Sequence, residues 1–391
     1  MGIVDVQICH LNRLYFDRET RFSLVLLKSV CPYPYNLFSR PYLIIIGHTS
    51  MPIISWRLLY WPIRQLLFGI VFFSGCVTIV SIQWLILTIN GRHTQEWLDD
   101  SKRWFIQLLT FCTCWFTSGT TLRLVFKDRE AMARYYNAGQ LQLPRRAIVI
   151  ANHQMYTDWL YIWYLAYRNV GDMGAHIYII MKESLKKLPI LGYGMINYSF
   201  VFLARNWQRD AEKMACQFNE TSKRDSFWML IFPEGTNMSH NNREKSHQWA
   251  RKTNKPIWNG VLLPRVKGLQ LAVKEMGNQV ITLTMGYKGC SLDRMAQDVF
   301  NVVQLYIWGN QPPLVSILID VQTIDREVEP WIESHWQEKE NEMLHYYSNG
   351  DFDGVYVDVP LVVGDKLVHI LLLGALLSSL FAIYYKYLVN V

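Results

Sequence analysis

Residues 66–89 run for 24 positions without one ionisable side chain, bracketed by Trp61, Arg64 and Arg92. At 1.5 Å per residue a helix of this length crosses about 30 Å of hydrocarbon. A chain carrying it is expected to be attached to a phospholipid membrane. Composition agrees, since hydrophobic residues make up 51% of 391 positions, with 15 Trp and 22 Tyr, heavy for a soluble protein.

A second uncharged stretch, 104–122, differs in kind. At about 100° per residue, Thr110, Thr113, Thr117, Thr120 and Thr121 fall on one side and Trp104, Leu108, Phe111, Trp115 and Leu122 on the other. It is expected to span, to lie in the interface or to pack under the following domain. Residues 367–385 form a second candidate span, with no Asp, Glu, Lys or Arg and His369 as its one histidine between Lys366 and Lys386, and a Tyr384, Tyr385, Tyr387 cluster at one end. The first fifty residues mix Arg13, Asp17, Arg18, Glu19 and Arg21 with apolar residues and lack the pattern of a secretory signal, so they read as an interfacial or cytosolic lead.

The formal charge of +7 suits an anionic lipid surface or a phosphorylated substrate. Because the basic residues are dispersed, no nucleic acid is expected as a partner. Cysteines at 9, 31, 76, 112, 114, 216 and 290 form neither a paired ladder nor a Cys-x2-Cys, which argues against a disulfide framework and a zinc site. No metal is expected.

From about 145 to 325 the pattern changes to short β-rich runs at 147–151, 177–181, 200–203, 227–232, 279–285 and 314–321, alternating with helical stretches. This predicts an α/β fold with a largely parallel central sheet flanked by helices, between N-terminal and C-terminal membrane helices. The expected organisation is a lead segment at 1–60, membrane-anchoring helices at 61–125, a catalytic domain at 126–325, an amphipathic helix and linker at 326–360, and a membrane segment at 361–391. Ligands of such sheets gather at the carboxyl ends of the strands, where His153, Lys182, Arg205 and Glu234 all fall.

The run 147–151 opens into Asn152-His153-Gln154-Met155-Tyr156-Thr157-Asp158-Trp159, after which an apolar helix begins that Thr157 or Asp158 caps. Five residues apart on one helix would turn His153 and Asp158 away from each other, so the turn between strand and helix is what lets them meet. Asp158 then accepts a proton from one ring nitrogen and leaves the other as a base of the right strength for an alcohol. Further on, Lys182, Lys186 and Lys187 precede an apolar turn, and Phe202-Leu203-Ala204 ends in Arg205. Cations so placed can hold phosphate. Phe232-Pro233-Glu234-Gly235-Thr236-Asn237 puts a carboxylate in a tight turn, and Leu263-Pro264-Arg265 aims an arginine from a proline turn.

These four ordered blocks, over 147–268, resemble those of the glycerolipid (lysophospholipid) acyltransferase family, nearest to the branch with lysophosphatidylinositol and lysocardiolipin acyltransferases. Residues 331–352 also resemble that branch's helix after the catalytic domain. The resemblance implies transfer of a fatty acyl group from acyl-CoA, as co-substrate and without a cofactor, to a lysophospholipid hydroxyl. His153 is then the base and Asp158 its partner. Glu234, Gly235, Thr236 and Arg265 are implied to bind the acceptor, and Lys182 and Arg205 the phosphate of acceptor or CoA. Asn237 replaces an arginine common among lysophosphatidic acid acyltransferases, which favours a diester headgroup such as inositol. Endoplasmic reticulum or lipid droplet is the implied location, and no obligate protein partner is implied. The rival readings are a lysophosphatidic acid acyltransferase, a CoA-independent transacylase and a catalytically silent lipid-binding protein.

Overall fold

The computed structural model describes residues 23–27, 42–46, 56–89, 91–361 and Gly374. Two strands in the lead segment, β1 (Ser23–Leu27) and β2 (Tyr42–Ile46), pair antiparallel within a compact unit of residues 1–62. No strands are expected there from the sequence. Of the expected second span at 367–385 only Gly374 is among the described residues; the rest of it lies outside them.

Helix α1 (Trp56–Ile89) carries the uncharged stretch, and its 62–89 portion is the one helix among the described residues long and apolar enough to cross a membrane. Leu66, Ile70, Phe73, Val77 and Trp84 form an exposed apolar stripe, whereas Cys76, Ile79, Gln83 and Ile86 are buried. The buried side lies against α2 (Thr94–Phe116), and a Cβ at Gly75 would stand 2.6 Å from Leu108 Cδ2, so glycine allows the close approach. Gln83 is satisfied at both ends, donating to Ser101 Oγ at 3.0 Å and accepting from Asn197 Nδ2 at 3.0 Å.

The stretch 104–122 is not one element. α2 ends at Phe116, and Leu122 belongs to β3 (Thr121–Phe126). Thr110 and Thr113 are buried in the helix because their hydroxyls bond the carbonyls of Ile106 and Leu109, which removes the need for a polar surface. Of the three placements expected, the structure takes packing under the domain. Phe105, Ile106, Leu108, Leu109 and Cys112 join the main apolar core, and buried Lys102 lies 3.4 Å from Asp99, which in turn meets Arg224 at 3.7 Å.

After β3 come α3 (Arg129–Tyr135) and the short pair β4 (Tyr136–Asn137) and β5 (Gln140–Leu141). The expected alternation then follows: β6 (Arg146–Ala151), α4 (Asp158–Arg168), β7 (Ile177–Lys182), α5 (Leu191–Asn197), β8 (Val201–Leu203), α6 (Trp207–Ser222) and β9 (Phe227–Ile231). The chain continues through α7 (His240–Thr253), α8 (Val266–Met276), β10 (Gln279–Tyr287), α9 (Ala296–Val299), β11 (Leu314–Thr323), α10 (Val328–Asn349) and β12 (Val355–Pro360).

The eight-stranded sheet has the order β12-β3-β11-β10-β6-β9-β7-β8, with β10, β6, β9, β7 and β8 mutually parallel. Both faces are covered, which is why these strands read as continuous apolar runs. Side chains alternate accordingly: Ala147, Val149 and Ala151 of β6 enter the core shared with α1, α2 and α4, while Ile148 and Ile150 enter the one shared with α6, α8 and α10. The antiparallel flank departs from expectation, because 355–360, read as linker, forms β12 and pairs with β3. Arg123 locks that edge by a bidentate contact to Asp358 at 2.7 and 2.8 Å.

Candidate active site

His153 follows β6 at the carboxyl edge of the parallel strands. Asn152 fixes the exit, donating to the Met285 carbonyl at 3.1 Å and accepting from its N–H at 2.8 Å, so the loop leaves β6 bonded to β10. His153 Nδ1 lies 2.9 Å from Asp158 Oδ2, as the turn between strand and helix requires. The helix cap is not as expected. Thr157 occupies the N-cap without a side-chain bond, and the Asp158 carboxylate turns back to accept from the N–H groups of Gln154 (2.7 Å) and Met155 (3.1 Å). These donors compete successfully for Asp158 because the chain doubles back inside a buried loop.

The other Asp158 oxygen accepts from the hydroxyl of Tyr287, a residue the sequence reading did not single out. Its signal was the run 279–285, which continues as β10 through Gly286 to Tyr287. Glycine is needed at 286, since a Cβ there would stand 2.6 Å from the Tyr346 ring. Burial first, and then the Asp158 charge, hold the Tyr287 phenol well above its ordinary pKa, so it remains a donor. Tyr287→Phe is expected to lower kcat about tenfold, or about 1.4 kcal/mol of barrier, with both KM values little changed. Steady-state kinetics on the purified variant checks this.

The imidazole stacks on Phe232 at 4.2 Å between ring centroids, and its Nε2 has no protein hydrogen bond among the described residues. The Phe232-to-Asn237 turn is tied to this loop, with Met238 N–H donating to the His153 carbonyl at 2.6 Å. Arg265 N–H donates to the Pro233 carbonyl at 2.7 Å, which joins the third motif to the fourth. Gly235 has φ +71°, and its missing Cβ leaves room for the Arg265 side chain, whose Nε would otherwise stand 3.1 Å away. Arg265 itself is exposed.

Glu234 is 2% exposed, and neither carboxyl oxygen has a hydrogen-bond partner among the described residues. Burial raises its pKa well above the ordinary carboxyl value, and the nearby backbone of His153 and Leu262 opposes this without closing a hydrogen bond. The structure thus sets Glu234 behind the His153 loop. Thr236 Oγ1 accepts from Asn242 Nδ2 at 3.1 Å, and the same nitrogen donates to the Asn237 carbonyl at 2.9 Å, so α7 braces the turn. Asn237 is buried at 4% exposure, and its Nδ2 donates to the Met238 carbonyl at 3.4 Å.

Lys182 and Arg205 are exposed at the ends of β7 and β8, two and three strands from β6. At about 4.8 Å per strand they start roughly 10 and 14 Å from the base of the His153 loop. Arg205 has φ +64°, a strained conformation for this residue, and buried Asp210 enforces it by accepting from the N–H groups of Ala204 and Asn206, each at 3.0 Å. His153, Asp158, Gly235 and Arg265 therefore converge, while Lys182 and Arg205 form an outlying cationic rim. Among the described residues no group of His, Cys, Asp and Glu is placed to hold a metal ion.

A His–Asp pair at a strand end, beside an arginine turn, has the chemistry to accept a proton and to meet an anion. Residues 133–286 match the family model described as acyltransferase. Among curated proteins it is similar to the 2-acyl-1-lysophosphatidylinositol acyltransferase of Saccharomyces cerevisiae, 29% identical over 336 residues, covering 72% of this chain and 84% of that protein. An uncharacterized acyltransferase of Schizosaccharomyces pombe is 32% identical over 219 residues, covering 54% and 62%. A probable 1-acyl-sn-glycerol-3-phosphate acyltransferase of Arabidopsis thaliana is 32% identical over 229 residues, covering 56% and 58%.

Proposed function

We propose that this acyltransferase moves a fatty acyl group from acyl-CoA to the free hydroxyl of a lysophospholipid, with lysophosphatidylinositol as the favoured acceptor. The observation that carries the reading is the 2.9 Å His153–Asp158 contact at the carboxyl end of β6, with Nε2 left for substrate. His153 takes the hydroxyl proton at Nε2, and Asp158 stabilises the resulting imidazolium. The acceptor oxygen attacks the thioester carbonyl carbon, the C–S bond breaks, and the CoA thiolate leaves with the proton returned from His153. No acyl-enzyme is needed. The name of the yeast relative supports the inositol headgroup. The plant relatives' names favour a second reading, lysophosphatidic acid as acceptor.

Arg265 pairs with the acceptor phosphate in this reading, and Lys182 and Arg205 meet phosphate of acceptor or CoA farther along the edge. The exposed stripe of α1 faces a phospholipid membrane of the endoplasmic reticulum or lipid droplet. Because α1 also packs on the domain, Phe68 stacking on Tyr306 at 5.7 Å and Gln83 bonding Asn197, helix and site reach the lipid surface together.

Arg265→Ala is expected to lower kcat/KM for the acceptor by about ten- to 150-fold through loss of a charge-assisted contact of about 1.5–3 kcal/mol. The KM for acyl-CoA should barely move. Lysophosphatidylinositol and lysophosphatidic acid competing in one vesicle assay, with labelled acyl-CoA as sole donor, test the assignment. Preference for lysophosphatidic acid selects the second reading, and no product from acyl-CoA, together with product in a parallel assay with a labelled phospholipid donor, replaces acyl-CoA by transacylation.

A further inference from the structure

α10 lies along the segment that leads into the Leu263-Pro264-Arg265 turn. Glu333 pairs with Lys255, Gln337 Oε1 accepts from Trp258 Nε1 at 3.0 Å, and Lys339 anchors the helix to β10 through the Leu283 carbonyl (2.9 Å) and Thr284 Oγ1 (2.7 Å). One residue later, buried Glu340 accepts from three consecutive backbone N–H groups, those of Asn259 (2.8 Å), Gly260 (2.8 Å) and Val261 (3.0 Å). An ionised carboxylate alone among side chains offers acceptors to all three without presenting a donor.

The same peptide is held from its other side. Gln154, the residue after His153, donates to the Gly260 carbonyl at 3.0 Å and accepts from Tyr347 of α10 at 3.2 Å. Gly260 is confined as well, because a Cβ there would stand 2.8 Å from Met343 Cβ. Beyond Val261 the chain runs to Arg265, with Leu263 N–H held by Ser246 Oγ at 3.0 Å and Arg265 N–H by the Pro233 carbonyl.

We infer that Glu340 is a positioning residue for acceptor binding, which fixes residues 259–261 and through them the place of Arg265 beside Gly235. This rests on the reading of Arg265 as the acceptor's phosphate contact. In Glu340→Gln the amide turns a donor toward at least one of the three N–H groups, so the segment must shift. The expected result is a rise of about tenfold in the KM for lysophospholipid, with the KM for acyl-CoA unchanged and kcat altered less than threefold.

A double-mutant cycle on the full chain in vesicles separates positioning from general stability. If Glu340 acts through Arg265, Glu340→Gln adds little to the acceptor KM once Arg265→Ala is present. Additive effects, or equal losses for both substrates, overturn the inference. Should Glu340→Gln fail to fold, Glu340→Asp, one methylene short of the three N–H groups, is read in the same cycle by the same criterion. A normal acceptor KM for Arg265→Ala alone would instead remove the phosphate reading, whereas a raised one with Glu340→Gln normal would remove only the role of Glu340.

Discussion

Purified His153→Ala is expected to lose acyl transfer by about 10⁴-fold, the upper end for removal of a general base, while remaining folded. The loss is chemical because no described residue is placed to replace the imidazole: Lys182 and Arg205 stand strands away, and the Asp158 carboxylate is fully buried beneath the loop. Stability should change little. The imidazole is partly exposed, and without it Asp158 still accepts from Gln154, Met155 and Tyr287. A fall of about 2–4 °C in melting temperature, measured beside the rate, is in keeping with the lost stacking on Phe232.

Asp158→Asn is expected to cost about 10²–10³-fold in kcat, less than removing the base itself. The surrounding donors decide how the amide sits. The Gln154 and Met155 N–H groups require an oxygen at the Oδ2 position, so the amide nitrogen falls beside Tyr287, whose hydroxyl can turn to accept. His153 Nδ1–H therefore keeps its acceptor and its tautomer, and what disappears is the negative charge opposite the imidazolium. Near-normal kcat in Asp158→Asn would show that this charge is not used. Loss of folding would show instead that the orientation fails and the buried donors are left unpaired.

The parallel half of the sheet was legible in sequence because each strand is buried on both faces. Uninterrupted apolar runs such as Ala147-Ile148-Val149-Ile150-Ala151 leave little choice of structure. The flank was not. β3 joins a threonine-rich helix end to a short alternating run, and its pairing with β12 joins Phe126 to Val355, a contact no local pattern specifies. The site divided in the same way. His153 and Asp158 meet through one local turn, whereas Tyr287 and Glu340 reach the site from elements far along the chain. A tight turn past a buried strand carries its side chains inward as readily as outward, so the burial of Glu234 and Asn237 was not legible in the sequence.

The central claim is that His153 deprotonates a lysophospholipid for direct attack on acyl-CoA. It is tested most directly by initial rates of labelled diacyl lipid formation in vesicles holding lysophosphatidylinositol, with labelled acyl-CoA as the only donor, for wild type and His153→Ala side by side. The expected result is steady product from the wild type, with no lag and no labelled protein on rapid quench, and a rate about 10⁴-fold lower from folded His153→Ala. Product from His153→Ala at a rate within tenfold of wild type, or a labelled acyl-protein that forms and decays at the turnover rate, would contradict it.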